Sequence, residues 1–144
     1  MILSGRIILA RSILTNLIDS VTHVQPCSVD LTLESISAFT SLGTLDFSNA
    51  LRQTASTGKL SSSADEQIAN QARYWDLTPG SYIVEFNELL ATPLDCMGHV
   101  YPRSSLWRSG AVVIGGVCDA GYRGALGALL QVSRGAIILS PCCR

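Results

Sequence analysis

Charge is scarce in this sequence of 144 residues. Charged side chains make up 15% of it, against about 25% in ordinary soluble domains, and the net charge is −1. A chain so balanced carries no basic field for duplex DNA or an anionic membrane surface, so neither is expected as a partner. No apolar run approaches the roughly 18 uninterrupted residues of a membrane-spanning helix, although 47% of the residues are hydrophobic and the mean hydropathy is +0.32. The apolar excess must be covered in some other way, and a contact between subunits is its simplest sink. The five cysteines, at 27, 96, 118, 142 and 143, contain no CxxC pair. That pattern suits neither a zinc knuckle nor an ordinary disulfide framework. The cysteines are expected to be small buried hydrophobes in a reducing compartment, which points to the cytoplasm. Histidine occurs only at 23 and 99, without a ligand-spaced partner, and both are expected to be structural or surface residues. The opening segment lacks the uninterrupted apolar core of a secretory signal.

The length suits one domain, residues 1–144, with a sizeable core. Ile2, Leu3, Ile7, Ile8, Leu14, Leu17 and Ile18 share one helical face, so the chain is expected to open with an amphipathic helix of the folded domain. Arg6 and Arg11, with no acid before Asp19, only loosely match a mitochondrial presequence. Val29, Leu31 and Leu33 alternate with Asp30 and Thr32, the period of a strand, and a weaker strand is expected over 35–40. Residues 43–73 are polar and turn-rich, with a short helix expected over 64–73. They read as an insertion or flap. From Trp75 the pattern is all-β. Strands are expected over 82–86, 94–100, 111–114, 126–132 and 136–139, with turns at 78–81 and 87–90. The run Ala111-Val-Val-Ile114 is apolar throughout, so it is expected to be buried on both faces. Glycines at 110, 115, 116, 121, 124 and 127 punctuate this half as in a sandwich or barrel with sharply bent strands.

Against this apolar background one polar island stands out. Arg103-Ser104-Ser105-Leu106 is followed by Gly116-Val-Cys-Asp119-Ala-Gly-Tyr122-Arg-Gly124. Together they offer a cation, two hydroxyls, a carboxylate, an aromatic wall and several glycines, the equipment to hold a nucleoside triphosphate and aim a water at it. Asp119 ends a buried strand in a glycine-rich turn. It either caps that turn through its side chain or serves as a base that orients water toward phosphorus. Tyr122 is either a half-buried strand aromatic or a flat ring that stacks under a deoxyribose and excludes a 2′-hydroxyl. Gly121 and Gly124 would let the backbone approach a ligand closely. A guanidinium beside two hydroxyls, Arg103 with Ser104 and Ser105, makes a phosphate cradle. Asp30, on the solvent face of its strand, is an ordinary exposed acid, a support for Arg103, or an acceptor for a water on hydrated magnesium.

Taken jointly, Gln25-Pro-Cys-Ser-Val-Asp30-Leu, Pro102-Arg-Ser-Ser-Leu106 and Gly116-Val-Cys-Asp119-Ala-Gly-Tyr122-Arg-Gly124 resemble the dUTPase/dCTP deaminase superfamily over 1–42 and 75–144. The opening Met-Ile-Leu-Ser4 is similar to its deaminase-type branch. The resemblance implies an all-β, distorted jelly-roll (β-clip) fold with a short N-terminal helix, and a homotrimer with active sites at subunit interfaces. It implies that Asp119 orients the attacking water, that Tyr122 packs on deoxyribose, and that Arg103, Ser104 and Ser105 contact the phosphates. Gly116 would lie near the base pocket, where backbone groups read uracil, and Asp30 would support the magnesium–triphosphate region. The implied reaction is Mg²⁺-assisted hydrolysis of dUTP, a deoxyuridine nucleotide, to dUMP and pyrophosphate. A dUTPase-fold nucleotide-binding regulator with little catalysis is the alternative, ahead of a dCTP deaminase. The deaminase's proton-shuttling glutamate is matched here by Leu129, which cannot transfer a proton. Val113 stands where many dUTPases place a polar side chain near uracil. The resemblance also implies a continuation past Arg144 through Ile-Ala-Gln and a glycine-rich tail.

Overall fold

Alternating burial along two long strands organises the molecule. The computed structural model describes residues 2–64 and 73–140. Among these the elements run α1 (Gly5–Ala10), β1 (Leu14–Thr15), β2 (Leu33–Phe39), β3 (Thr57–Lys59), β4 (Ser63–Ala64), β5 (Arg73–Leu77), β6 (Gly80–Ala91), β7 (Gly98–His99), α2 (Ser104–Arg108), β8 (Ala111–Ile114), β9 (Val117–Cys118), β10 (Arg123–Val132) and β11 (Ala136–Ser140). The main sheet has the order β3-β2-β6-β10-β8, with β1 also on β6. A three-stranded sheet, β11-β5-β4, and the pair β7-β9 complete the described strands. Every ladder is antiparallel. This is the expected all-β jelly-roll architecture.

Two cores hold it together. In the larger, Trp75 and Leu77 of β5 meet Ile36, Tyr82, Val84, Ala111, Ala128, Leu130 and Val132 from the main sheet. One sheet face is thus laid on another, and each fully buried large side chain contributes about 1.5–3 kcal/mol. The smaller core contains Ile13, Leu14, Leu90 and Leu126, with Leu3, Ile8, Val29, Leu31, Val100 and Cys118 packed against it. It lies behind the two motif acids: Val29 and Leu31 flank Asp30, and Cys118 precedes Asp119.

Several expectations change. The N-terminal helix is only six residues long. Ser4 caps it by accepting from the Ile7 N–H, but Ser12 and Asn16 take positive φ. The chain turns between them, and Leu14 pairs with Leu90 of β6. Of the alternating apolar residues, Val29 and Leu31 pack on the smaller core but Leu33 packs on the larger, and the polar Thr32 between them is itself buried. Ladder pairing starts only at Leu33, with an isolated bridge from Val24 to Val29 before it. The weaker stretch at 35–40 forms most of β2. No turn interrupts 87–90. β6 runs through it, because β1 and β10 both pair along its far end. Of 94–100, only Gly98 and His99 form a ladder. β8 ends the main-sheet order rather than lying within it, and its Ile114 is 49% exposed. Within 43–73, Thr57–Lys59 adds to β2 and Ser63–Ala64 adds to β5. Residues 44 and 53 bridge across the intervening loop. The expected helix at 64–73 lies mostly outside the described residues, and its two ends, Ala64 and Arg73, stand in strands. Cys27 is exposed, and Cys96 and Cys118 are only half-buried; Cys142 and Cys143 lie outside the described residues. Val113 is packed against the larger core, so it does not face a base.

Candidate active site

The first cluster joins residues far apart in sequence. Arg103 Nη1 donates to Asp30 Oδ2 at 2.7 Å across 73 positions. Gln25 Nε2 donates to the same oxygen at 3.1 Å. Asp30 is not on an open strand face: its side chain keeps 18% exposure, whereas that of Arg103 keeps 71%. The guanidinium is held at one corner and turns its other donors to solvent, ready for an anion. Ser104 and Ser105 begin α2 and are exposed, and no bond to either hydroxyl is found among the described residues. Leu106 of the same short helix packs on the larger core, which anchors the turn.

The second cluster is local. β9 leads into a turn closed by the Tyr122 N–H donating to the Asp119 carbonyl at 3.1 Å. Gly121 sits at φ +82, where a side chain would be strained. Two further backbone bonds, Gly121 N–H to Thr92 carbonyl and Thr92 N–H to Tyr122 carbonyl, fasten the turn to the chain after β6. The turn is therefore closed by backbone. The Asp119 carboxylate is exposed and makes no hydrogen bond among the described residues, so the capping role is not realised. A groove of about 330 Å³ opens here, lined by Val100, Gly116, Cys118, Asp119, Tyr122 and Leu126 among others. A Cβ on Gly116 would meet nothing within 4 Å, so its backbone faces free space. The Tyr122 hydroxyl donates to the Ala125 carbonyl at 2.6 Å. Its ring uses the room left by Gly124, where a Cβ would come within 2.9 Å of that hydroxyl. Gly124 thus makes space for the tyrosine rather than for a ligand. Burial, and then the neighbouring Asp119 charge, push the Cys118 thiol up from its ordinary pKa.

Asp119, Gly116 and Tyr122 share one groove, and Asp30 and Arg103 share one ion pair. Arg103, Ser104 and Ser105 are not among the groove's lining residues, so one chain does not gather both groups in a single pocket. Residues 98–103 connect them. Gly98 and His99 pair with Cys118 and Val117, Val100 lies against Gly115, and Arg103 follows. A larger cavity of about 490 Å³, lined by Phe39, Gly43, Leu45, Gln53, Ile83 and small residues, holds no charged side chain, so it lacks the means to bind phosphate. No cluster of three or more His, Cys, Asp or Glu that could cage a metal occurs among the described residues. A hard cation here would take its oxygens from a bound polyphosphate, and Asp30 Oδ1, which has no described partner, can accept from a water on it. Sequence reasoning passed over Gln25, Thr32, Asn87 and Glu88. Gln25 lay inside a recognised motif, but the other three carried no local signal.

Comparison with known proteins shows the family of the chain. The sequence model of the dCTP deaminase-like family matches residues 2–142. The probable deoxyuridine 5′-triphosphate nucleotidohydrolase of Methanosarcina acetivorans is 36% identical over 124 residues, 86% of this chain and 68% of the relative. That of Methanococcoides burtonii is 38% identical over 109 residues, 76% and 60% of the two chains. The deoxyuridine 5′-triphosphate nucleotidohydrolase of Methanocaldococcus jannaschii is 35% identical over 111 residues, 76% and 67% of the two chains. The solved 2′-deoxycytidine 5′-triphosphate deaminase of Agrobacterium tumefaciens superposes with a TM-score of 0.62 at 25% identity, covering 96% of this chain and 44% of that one. The chain thus spans 60% to 68% of the length of the three archaeal relatives. With nearly its whole length matched by the family's model and its fold shared, the chain belongs to the dCTP deaminase-like family.

Proposed function

We propose that this protein is a dUTP diphosphatase, releasing dUMP and pyrophosphate from dUTP. The observation that carries this reading is the unbonded Asp119 carboxylate, exposed in a groove beside the open backbone of Gly116 and the fixed ring of Tyr122. The names of the archaeal relatives support the same substrate. Asp119 accepts a hydrogen bond from a water, orients it in line with the α-phosphorus, and takes its proton as the P–O bond forms. Arg103, Ser104 and Ser105 hold the phosphate chain through their free donors before and throughout the step, and the pyrophosphate leaves still bound to them. Tyr122 stacks under the deoxyribose, and the Gly116 backbone reads the uracil edge. Magnesium, when bound with the substrate, would supply positive charge against the phosphates, and Asp30 would support it by accepting from one of its waters. Arg103 and Asp119 fall in separate clusters within one chain, so we infer a homotrimer in which the Asp119 groove of one subunit faces the Arg103 turn of another. The enzyme acts as one cytoplasmic domain.

Deamination is disfavoured by Leu129, which lies in the β10 ladder opposite Ile83 and Ile114 and offers no proton. The test is to mix the protein with dUTP, dCTP or UTP and magnesium, and to follow pyrophosphate and base identity. Pyrophosphate from dUTP is expected, with cytosine left intact. Tight binding of dUTP without turnover would replace the enzyme with a nucleotide-binding module.

A further inference from the structure

One buried acid is unused by this mechanism. Glu88 of β6 is fully buried, with 0% exposure, and no cation pairs with it among the described residues. Both of its oxygens serve Thr32. Glu88 Oε2 accepts from the Thr32 N–H at 2.9 Å, and Oε1 accepts from the Thr32 hydroxyl at 2.6 Å. The preceding residue completes the grip. Asn87 donates its backbone N–H to the Thr32 carbonyl at 3.0 Å, and its side-chain amide to that carbonyl and to Thr32 Oγ1 at 3.3 and 3.0 Å. Every polar atom of Thr32 is therefore held by two consecutive residues. Asn16 ties Asn87 from behind, donating to its carbonyl at 2.6 Å.

This grip takes over where the sheet lets go. The β2–β6 ladder runs down to Leu33 opposite Phe86, with a register shift just before it. Beyond Leu33 the strand leaves the ladder, and the next residue is the one clamped. A leucine at 88 would fill the same interior without burying a carboxyl group, which is costly unless fully hydrogen-bonded. What the acid adds is position: a hydrogen-bonded residue has one geometry, whereas an apolar one slides. Thr32 lies two residues from Asp30, whose carboxylate holds Arg103. Val29 and Leu31 on either side of Asp30 press into the smaller core, which sets depth but not register.

We propose that Glu88 and Asn87 are positioning residues that clamp Thr32 and thereby set where Asp30 presents Arg103. This rests on the reading of Arg103 as the phosphate-binding cation. The decisive variants are Thr32→Val, which keeps the shape and loses the hydroxyl, and Thr32→Ser, which keeps the hydroxyl. Glu88→Gln is the partner variant, since its NH2 replaces one carboxylate oxygen and leaves one Thr32 proton without its acceptor. Thr32→Val and Glu88→Gln are expected to raise KM for dUTP about tenfold, the scale of one or two lost buried hydrogen bonds, with kcat nearly unchanged. Thr32→Ser should restore the wild-type KM. Added to Asp30→Asn, Thr32→Val should raise KM no further; an additive loss would show that the clamp acts elsewhere. The side-chain nitrogen NMR signals of Arg103 supply a readout that needs no turnover. They should sharpen or shift together in the wild type and Thr32→Ser, and collapse toward a freely rotating guanidinium in Thr32→Val. A wild type inactive on dUTP would sink the proposed reaction while leaving this NMR test in force. Unaltered Arg103 signals in Thr32→Val, with only a lowered melting temperature, would reduce the clamp to a structural contact and overturn the proposal.

Discussion

The two polar clusters are built in opposite ways. Asp30 and Arg103 come from 73 positions apart, and the acid is tied by Arg103 and Gln25. Asp119 and Tyr122 come from one turn, and that acid is tied by nothing among the described residues. An acid that has spent a lone pair on a guanidinium positions charge; an acid with free lone pairs can still take a proton. The same contrast separates the two arms of the second cluster. The Tyr122 hydroxyl is bonded to the Ala125 carbonyl and its ring is held in place, whereas the Asp119 side chain is left exposed beside it. The bonded groups define the shape of the groove, and the unbonded carboxylate is open to water or a ligand.

The sharpest way to break this contrast is Asp119→Asn. It should cut pyrophosphate release from dUTP by about 10³-fold, within the range for a lost general base. Melting temperature should hardly move, because the exposed carboxylate makes no described bond. Substantial remaining turnover would mean that the water is aimed by another group. Next in size is Arg103→Ala, expected to lower kcat/KM by about 10²-fold through lost charge-assisted bonds to phosphate. Arg103→Lys should recover little, since an ammonium cannot bond Asp30 and phosphate with one rigid fork. Stability should fall by less than about 1 kcal/mol, because the arginine is mostly exposed; a larger loss would recast the ion pair as structural. A smaller effect is expected on sugar selection. Tyr122→Ala should lower the preference for dUTP over UTP by about tenfold, and Gly124→Ala should do the same in part by pushing the ring aside. An unchanged ratio in steady-state competition would remove the ring from sugar recognition. The smallest effect concerns Cys118. Its thiol is pushed up by burial first and by the Asp119 charge second. Asp119→Asn removes only the second cause, so the thiolate fraction at mildly alkaline pH rises. Alkylation at Cys118, mapped by mass spectrometry, should speed up by about threefold. An unchanged or slower rate would show that the two groups do not sense each other.

Much of the fold and of the site is legible in the chain. Strands β8, β10 and β11 follow apolar runs punctuated by glycines, and the motif residues at 103–105 and 116–124 stand out by composition and spacing alone. The illegible part has a common cause. Asn87 and Glu88 look like turn residues because they are polar, yet both bond Thr32 from 55 and 56 positions away. The apolar face at 2–18 suits a long helix, but Ser12 and Asn16 turn the chain so that Leu14 can pair with Leu90. Val113 and Ile114 look alike in sequence. One packs on the larger core, and the other is half exposed at the end of the main-sheet order.

By itself, the order of residues determined the all-β class and the motifs that carry the family resemblance, because periodicity and short spacings are local properties of a chain. Which acid is bonded and which is free, that Asp30 grips Arg103, and that Glu88 grips Thr32 were decided only by tertiary structure. Those outcomes depend on which distant strands pack face to face, and burial then forces each enclosed polar atom to find whatever partner the packing brings within reach.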